Sequence, residues 1–316
     1  MKEGFLIGGG LIVAGLLLEL SVGPVYWDAF RWPVNGIVLA GFLVLIVILF
    51  LLRKKVYVFQ FIGTYKAAIP ALVYAVVLTI IMGLTRQKNP SLALPGEGTM
   101  WLNNMLSFWP FVLIYVYITV VLGQTILRQL KSWAAAKCSL FNVQCSMFSH
   151  VGLFLAITTA TLGNADMQRL KMITVKGEPE WRALTPQQQV VEMPIAIELK
   201  QFMMETYDDG SPKHFASDIQ ILTKSGKNIQ TTVEVNKPVE VDGWKIYQYG
   251  YDTQMGAMSQ TSILELVRDP WLPLVYTGIY MMLAGAVCMF LFGGRKKIAK
   301  SPNIQINGKL SNSIFL

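Results

Sequence analysis

Six apolar stretches decide what this chain can fold into. They span residues 4–22, 35–52, 67–84, 106–127, 145–163 and 272–292. A helix needs roughly 20 residues to cross a hydrocarbon core of about 30 Å. Backbone N–H and C=O groups cannot stay unpaired in lipid, so such stretches are helices and not open strands. Composition agrees: 15% of residues are charged, against about 25% in an ordinary soluble domain.

The formal net charge of +8 suggests a nucleic-acid partner until it is divided along the chain. Residues 164–271 hold 11 Lys/Arg and 15 Asp/Glu, a net of −4, and the remainder carries +12. The basic charge therefore belongs to the membrane part, where it reports orientation. One set of alternate loops holds Lys2, Arg53, Lys54, Lys55, Lys66, Arg128, Lys131, Lys137 and the basic tail beyond residue 292. The opposite short loops hold Arg31, Arg86 and Lys88. The positive-inside rule then predicts both termini in the cytoplasm and residues 164–271 outside, with no role for nucleic acid. Trp27, Trp32, Trp101, Trp109 and Trp271 fall near the outer interfaces, where an indole anchors at headgroup depth. Residues 4–18 resemble a signal peptide but lack a small-residue cleavage site, so they read as a retained helix.

The region after the fifth helix changes period. Residues 195–200, 215–222, 229–235, 244–251 and 262–267 alternate apolar and polar side chains, the pattern of half-buried strands. Turn residues separate them: Asp208 to Pro212, Lys224 to Lys227, and Asp242 with Gly243. The expected fold is a polytopic α-helical membrane protein with six transmembrane helices and one extracytoplasmic all-β domain, a small sandwich or barrel. Its expected parts are a five-helix membrane region (1–163), the β domain (164–271), a sixth helix (272–292) and a cytoplasmic tail (293–316).

Few residues here invite chemistry. His150 lies inside the fifth apolar stretch, where an ionisable side chain is expensive and usually faces a bundle interior or a functional path. A neutral imidazole is a natural axial ligand for haem iron, or it hydrogen-bonds a neighbouring helix and does nothing more. His214, the other histidine, follows a turn and reads as a solvated surface residue. Two histidines so placed do not share one iron, which disfavours a self-contained electron-transfer cytochrome. Glu19 is expected to snorkel or to pair with Arg31 or Arg86. Cys138, Cys145 and Cys288 show neither a CxxC nor a zinc spacing and read as small packing residues. The chain carries no Walker A, HExxH, GxSxG or CxxCH motif.

The run Val235-Asn-Lys-Pro-Val-Glu-Val-Asp-Gly-Trp-Lys-Ile-Tyr-Gln248-Tyr-Gly-Tyr-Asp252 resembles the signature of the ResB family of cytochrome c maturation factors, a VN-x-P stretch before a G-x-x-x-YQ strand. Residues 212–222, the run Leu266 to Pro270, Tyr276-Thr-Gly278 and His150-Val-Gly are similar to family segments in the same order, so the likeness covers about residues 145–292. ResB proteins carry about three helices before the exported domain, whereas five are counted here, so no role is carried into residues 1–137. The resemblance implies a subunit of a system II haem export and cytochrome c synthase complex in the bacterial inner membrane. It implies haem b as the transported cofactor, a CcsA-type partner bearing the Trp-rich WWD motif, and apocytochrome c as acceptor. His150 becomes an intramembrane ligand of the haem iron, and the chain a non-catalytic or shared-site subunit of the haem lyase. A non-enzymatic assembly scaffold, its β domain holding a partner, is the alternative.

Overall fold

A computed structural model describes residues 1–87, 101–135, 141–209 and 211–292. The tail 293–316, Cys138, Lys137 and the loop residues Lys88, Pro90 and Pro95 lie outside the described residues. Seven α-helices appear among them. In chain order they are α1 (Lys2–Val22), α2 (Val34–Leu52), α3 (Tyr57–Ile62), α4 (Tyr65–Leu84), α5 (Trp109–Ala135), α6 (Phe141–Gly163) and α7 (Leu272–Phe292). All but α3 are long and apolar enough to cross a membrane. The short α3 falls within what the sequence suggested was a loop.

Small residues build the bundle. Ala67, Ala71 and Ala75 on α4 are buried against Phe111, Ile114 and Ile118 on α5, with Ile7 and Leu11 of α1 and Leu153 and Ile157 of α6 packed around them. Without a hydrophobic force between helices in lipid, close approach through small side chains is what holds such contacts. The α6/α7 pair is the tightest case. A Cβ placed on Gly152 would lie 2.6 Å from the Gly278 carbonyl oxygen, and one on Gly278 would lie 2.6 Å from the Ala156 nitrogen. Two helical turns further from the β domain, Cys145 and Cys288 are joined as a disulfide, with their Cα atoms 5.7 Å apart. This corrects the reading of both as plain packing residues. Alkylation of unfolded protein should label Cys145 and Cys288 only after reduction, and labelling without reductant would contradict the pairing.

Glu19 is a second correction. Buried near the end of α1, it accepts the Trp109 backbone N–H at 3.2 Å. It caps the α5 N-terminus, where orphan N–H groups and the helix dipole favour an anion, and makes no pair with Arg31, which is bonded to Asp28.

Between α6 and α7 the chain forms one antiparallel sheet of eight strands: β1 (Gln168–Val175), β2 (Pro179–Leu184), β3 (Val190–Thr206), β4 (Pro212–Thr223), β5 (Asn228–Glu234), β6 (Val239–Val241), β7 (Trp244–Tyr251) and β8 (Thr261–Arg268). The order is β5-β4-β3-β2-β1-β8-β7-β6. The sheet curls on itself. Buried residues from all eight strands, among them Met172, Ile197, Ile219, Val233, Val241, Ile246 and Leu266, form a single core. Ser217 of β4 donates across that interior to Ser262 of β8 at 2.8 Å, although three strands separate the two in the sheet.

One register detail differs from expectation. Strict alternation would put Tyr247, Tyr249 and Tyr251 on one face. A bulge between Gln248 and Gly250 shifts the period by one residue, and a single-residue slip moves a side chain to the other face. Tyr249 stays exposed beneath the Lys171 ammonium, while Tyr251 packs on Phe202 and Phe215 at ring separations of 5.2 and 5.1 Å.

Candidate functional site

His150 sits a little over two turns into α6. At 3.6 residues per turn it lies about 140° around the helix from Cys145, so it does not share the face that meets α7. It shares instead the side carrying Leu153, Phe154 and Ile157, which packs on the bundle core. Phe154 also stacks on Phe42 of α2 with centroids 6.5 Å apart. The imidazole is half-buried.

Its Nδ1 stands 2.6 Å from the Ser146 carbonyl oxygen, one turn back. A carbonyl only accepts, so Nδ1 carries the proton. The neutral ring then has its lone pair on Nε2, and among the described residues Nε2 makes no hydrogen bond. The Ser146 hydroxyl is 3.4 Å from Nδ1 and accepts the Gln129 side-chain N–H of α5 at 3.0 Å. Gln129, Ser146 and His150 thus form a polar chain within apolar helices. Metal-binding imidazoles commonly donate their other nitrogen to a carbonyl in this way, which fixes tautomer and ring plane. The sequence reading missed Gln129 and Ser146. Their signal was available as polar residues in apolar helices, Ser146 one turn before the histidine.

The donor set suits haem in one respect. A single imidazole offers one bond to iron, and a porphyrin supplies its own four nitrogens. No cluster of three or more His, Cys, Asp or Glu able to hold a bare metal ion occurs among the described residues. His214 is not brought to this site. It lies on β4, partly exposed, 3.4 Å from Glu234. The Glu234 carboxyl is held below its ordinary value, chiefly by the hydrogen bond from Lys237 and also by His214.

A second polar centre joins bundle to sheet. Asp166, just past α6, accepts the Trp32 backbone N–H at 2.8 Å, the Asn35 side-chain amide at 2.8 Å and the Trp271 indole N–H at 2.6 Å. One carboxylate therefore ties the start of α2 and the start of α7 to the end of α6. Trp27 and Trp109 are fixed likewise, donating to the Leu106 and Gly23 carbonyls. Nothing in the local sequence announced Asp166, because its three partners come from distant segments.

Fold and site define a multi-pass membrane protein with a curled β sheet inserted between its last two helices and one histidine presented within the bundle. Residues 119–263, which hold His150, Gln129 and most of the sheet, match the ResB-like family. It is 27% identical over 135 residues to the cytochrome c biogenesis protein CcsB of Prochlorococcus marinus subsp. pastoris, a match covering 42% of this chain and 31% of that protein. The chain thus corresponds to about a third of the curated relative's length. Among solved structures, the cytochrome c heme lyase CcmF is similar at 12% identity, covering 81% of this chain and 44% of that one. Its TM-score of 0.37 is too low for a shared overall fold to follow.

Proposed function

We propose that this protein is the ResB-type subunit of a cytochrome c maturation complex and holds haem b within the membrane through His150 while the haem is passed outward. The observation that carries the reading is the geometry at His150: Nδ1 lies 2.6 Å from the Ser146 carbonyl oxygen and Nε2 makes no hydrogen bond among the described residues, within the stretch that matches the ResB-like family. The name of the CcsB relative supports the process. The sequence contains no WWD tripeptide, so a CcsA-type WWD protein is the proposed partner and apocytochrome c the acceptor.

Bound haem would supply an iron that takes the Nε2 lone pair. The Ser146 carbonyl would hold the imidazole in the tautomer that makes this possible, beside a Ser146 hydroxyl that Gln129 fixes from α5. The paired α6 and α7 keep the histidine-bearing helix in place under the β domain, which is proposed to face the compartment where apocytochrome arrives. Within this chain His150 is the residue that would hold the haem iron, and any further ligand would come from the partner.

The test is an absorption spectrum of the protein purified with its WWD partner, for wild type and His150→Ala at equal yield. The wild type should show a Soret band that the variant loses or shifts, and added imidazole should restore it. Equal haem in both removes His150 from the mechanism. No haem in either favours the scaffold reading, in which the β domain binds a partner and His150 is structural.

A further inference from the structure

Where α2, α6 and α7 meet the first and last strands of the sheet, a cleft of about 440 Å³ opens, with Trp32, Asp166, Arg268, Trp271 and Leu274 in its walls. We propose that it binds a membrane phospholipid, with the lipid phosphodiester on the Arg268 guanidinium and an acyl chain running from Leu274 onto the surface of α7 that α6 leaves uncovered.

Arg268 ends β8 at the side of the sheet facing the helices. It is exposed and makes no ion pair among the described residues. Its guanidinium lies over the Trp244 ring, 5.9 Å from the centroid. A guanidinium fork matches a phosphate geometrically. The cleft does contain a carboxylate, Asp166, but three N–H donors already occupy it. Those donors satisfy its oxygens, and it makes no ion pair with Arg268 among the described residues.

The walls are fixed in advance. The Trp271 indole is held at its N–H by Asp166 and comes close to the end of α6 because residue 163 is glycine. A Cβ there would stand 2.6 Å from the Trp271 Cγ. Trp32 is 70% and Leu274 45% exposed, so the apolar side of the cleft is open. Three helices able to cross a membrane begin or end here, which places the cleft at headgroup depth, where Trp and Arg meet lipid phosphates. A guanidinium, two indoles and an aliphatic side chain in one cleft match the headgroup and chain of a phospholipid.

The test is native mass spectrometry of the delipidated full chain in detergent, titrated with phosphatidylglycerol and separately with diacylglycerol, which lacks the phosphate. Wild type should bind phosphatidylglycerol at least about tenfold more tightly, the order expected of charge-assisted hydrogen bonds. Arg268→Gln should erase the difference and Arg268→Lys should keep part of it. Arg182→Gln, which changes an arginine paired with Glu180 on β2, should leave it intact. Trp32→Ala should weaken both lipids alike. Equal binding of the two lipids by wild type overturns the proposal even if Arg268→Gln fails to fold. So does an unchanged preference in Arg268→Gln, or full displacement of the lipid by inorganic phosphate alone, which would mark a bare anion site.

Discussion

Gly152→Val is expected to force α6 and α7 apart at this position, although the Cys145–Cys288 disulfide still joins them, and to destabilise the bundle strongly. A side chain at this position meets backbone: the Gly278 carbonyl oxygen at 2.6 Å and the Met282 nitrogen closer still. No rotamer relieves that contact, because neither atom belongs to a flexible side chain. The helices must move apart, and the approach of Gly278 to Ala156 and of Gly285 to Ser149 is lost with it. Overpacking in a well-packed core costs about 1–3 kcal/mol. Against two lengths of rigid backbone the upper end applies. The change should appear as a large drop in thermal midpoint in detergent and as faster proteolysis of the β domain, which hangs from both helices. Gly41→Ala on α2, where an added Cβ meets nothing within 4 Å, is the control. If Gly152→Val melts with wild type, close approach is not what holds the pair. The same variant should disturb any haem signal, since His150 rides on α6.

Hydropathy found all six crossing helices because a lipid solvent demands a continuous apolar run, and such a run is local information. The strand over residues 244–251 was also readable, since the buried Trp244, Ile246 and Gln248 alternate with the half-buried Lys245 and Tyr247 and the exposed Tyr249. The strands β1 and β2 were not. The inward Thr174 is polar and bonded to the Ser262 carbonyl, and β2 has one fully buried residue, Ala183. The Cys145–Cys288 pairing spans 143 residues, and no spacing rule reaches that far. It depends on the close helix approach around Gly152 and Gly278. Likewise, His150 was visible as an ionisable group in an apolar run, but its tautomer rests on Ser146, and the hydrogen bond to Ser146 from Gln129 comes from another helix. Asp166 is not legible in the sequence because a single acid beyond a helix looks like any interfacial charge until its three donors are assembled around it.

Gln248→Leu should sharply loosen the sheet, and the reason explains the glutamine of the YQ run. Gln248 is buried and its side-chain amide donates to the Ser262 hydroxyl and to the Gly250 carbonyl, both at 3.0 Å. Gly250 borders the bulge, where the ladder between β7 and β8 slips and a carbonyl needs a partner other than a strand neighbour. Ser262 in turn receives Ser217 from the far side of the interior. Leucine fills a similar volume but leaves the Gly250 carbonyl without its donor and the Ser262 proton without its acceptor. The buried Ser262 hydroxyl left without its partner costs about 1–3 kcal/mol and the half-buried Gly250 carbonyl less, so a loss of about 2–4 kcal/mol is expected, a large share of the 5–15 kcal/mol that holds a typical domain. Hydrogen exchange of β7 and β8 amides in the full chain would read it. The triple change Ser217→Ala, Ser262→Ala and Gln248→Leu removes donors and acceptors together and should recover part of the loss, leaving the bulge carbonyl as the remaining defect. Recovery of that size would show that the network acts by mutual satisfaction across the curled sheet. Full protection in Gln248→Leu alone would mean that the apolar core around Ile246, Leu264 and Leu266 closes the sheet without it.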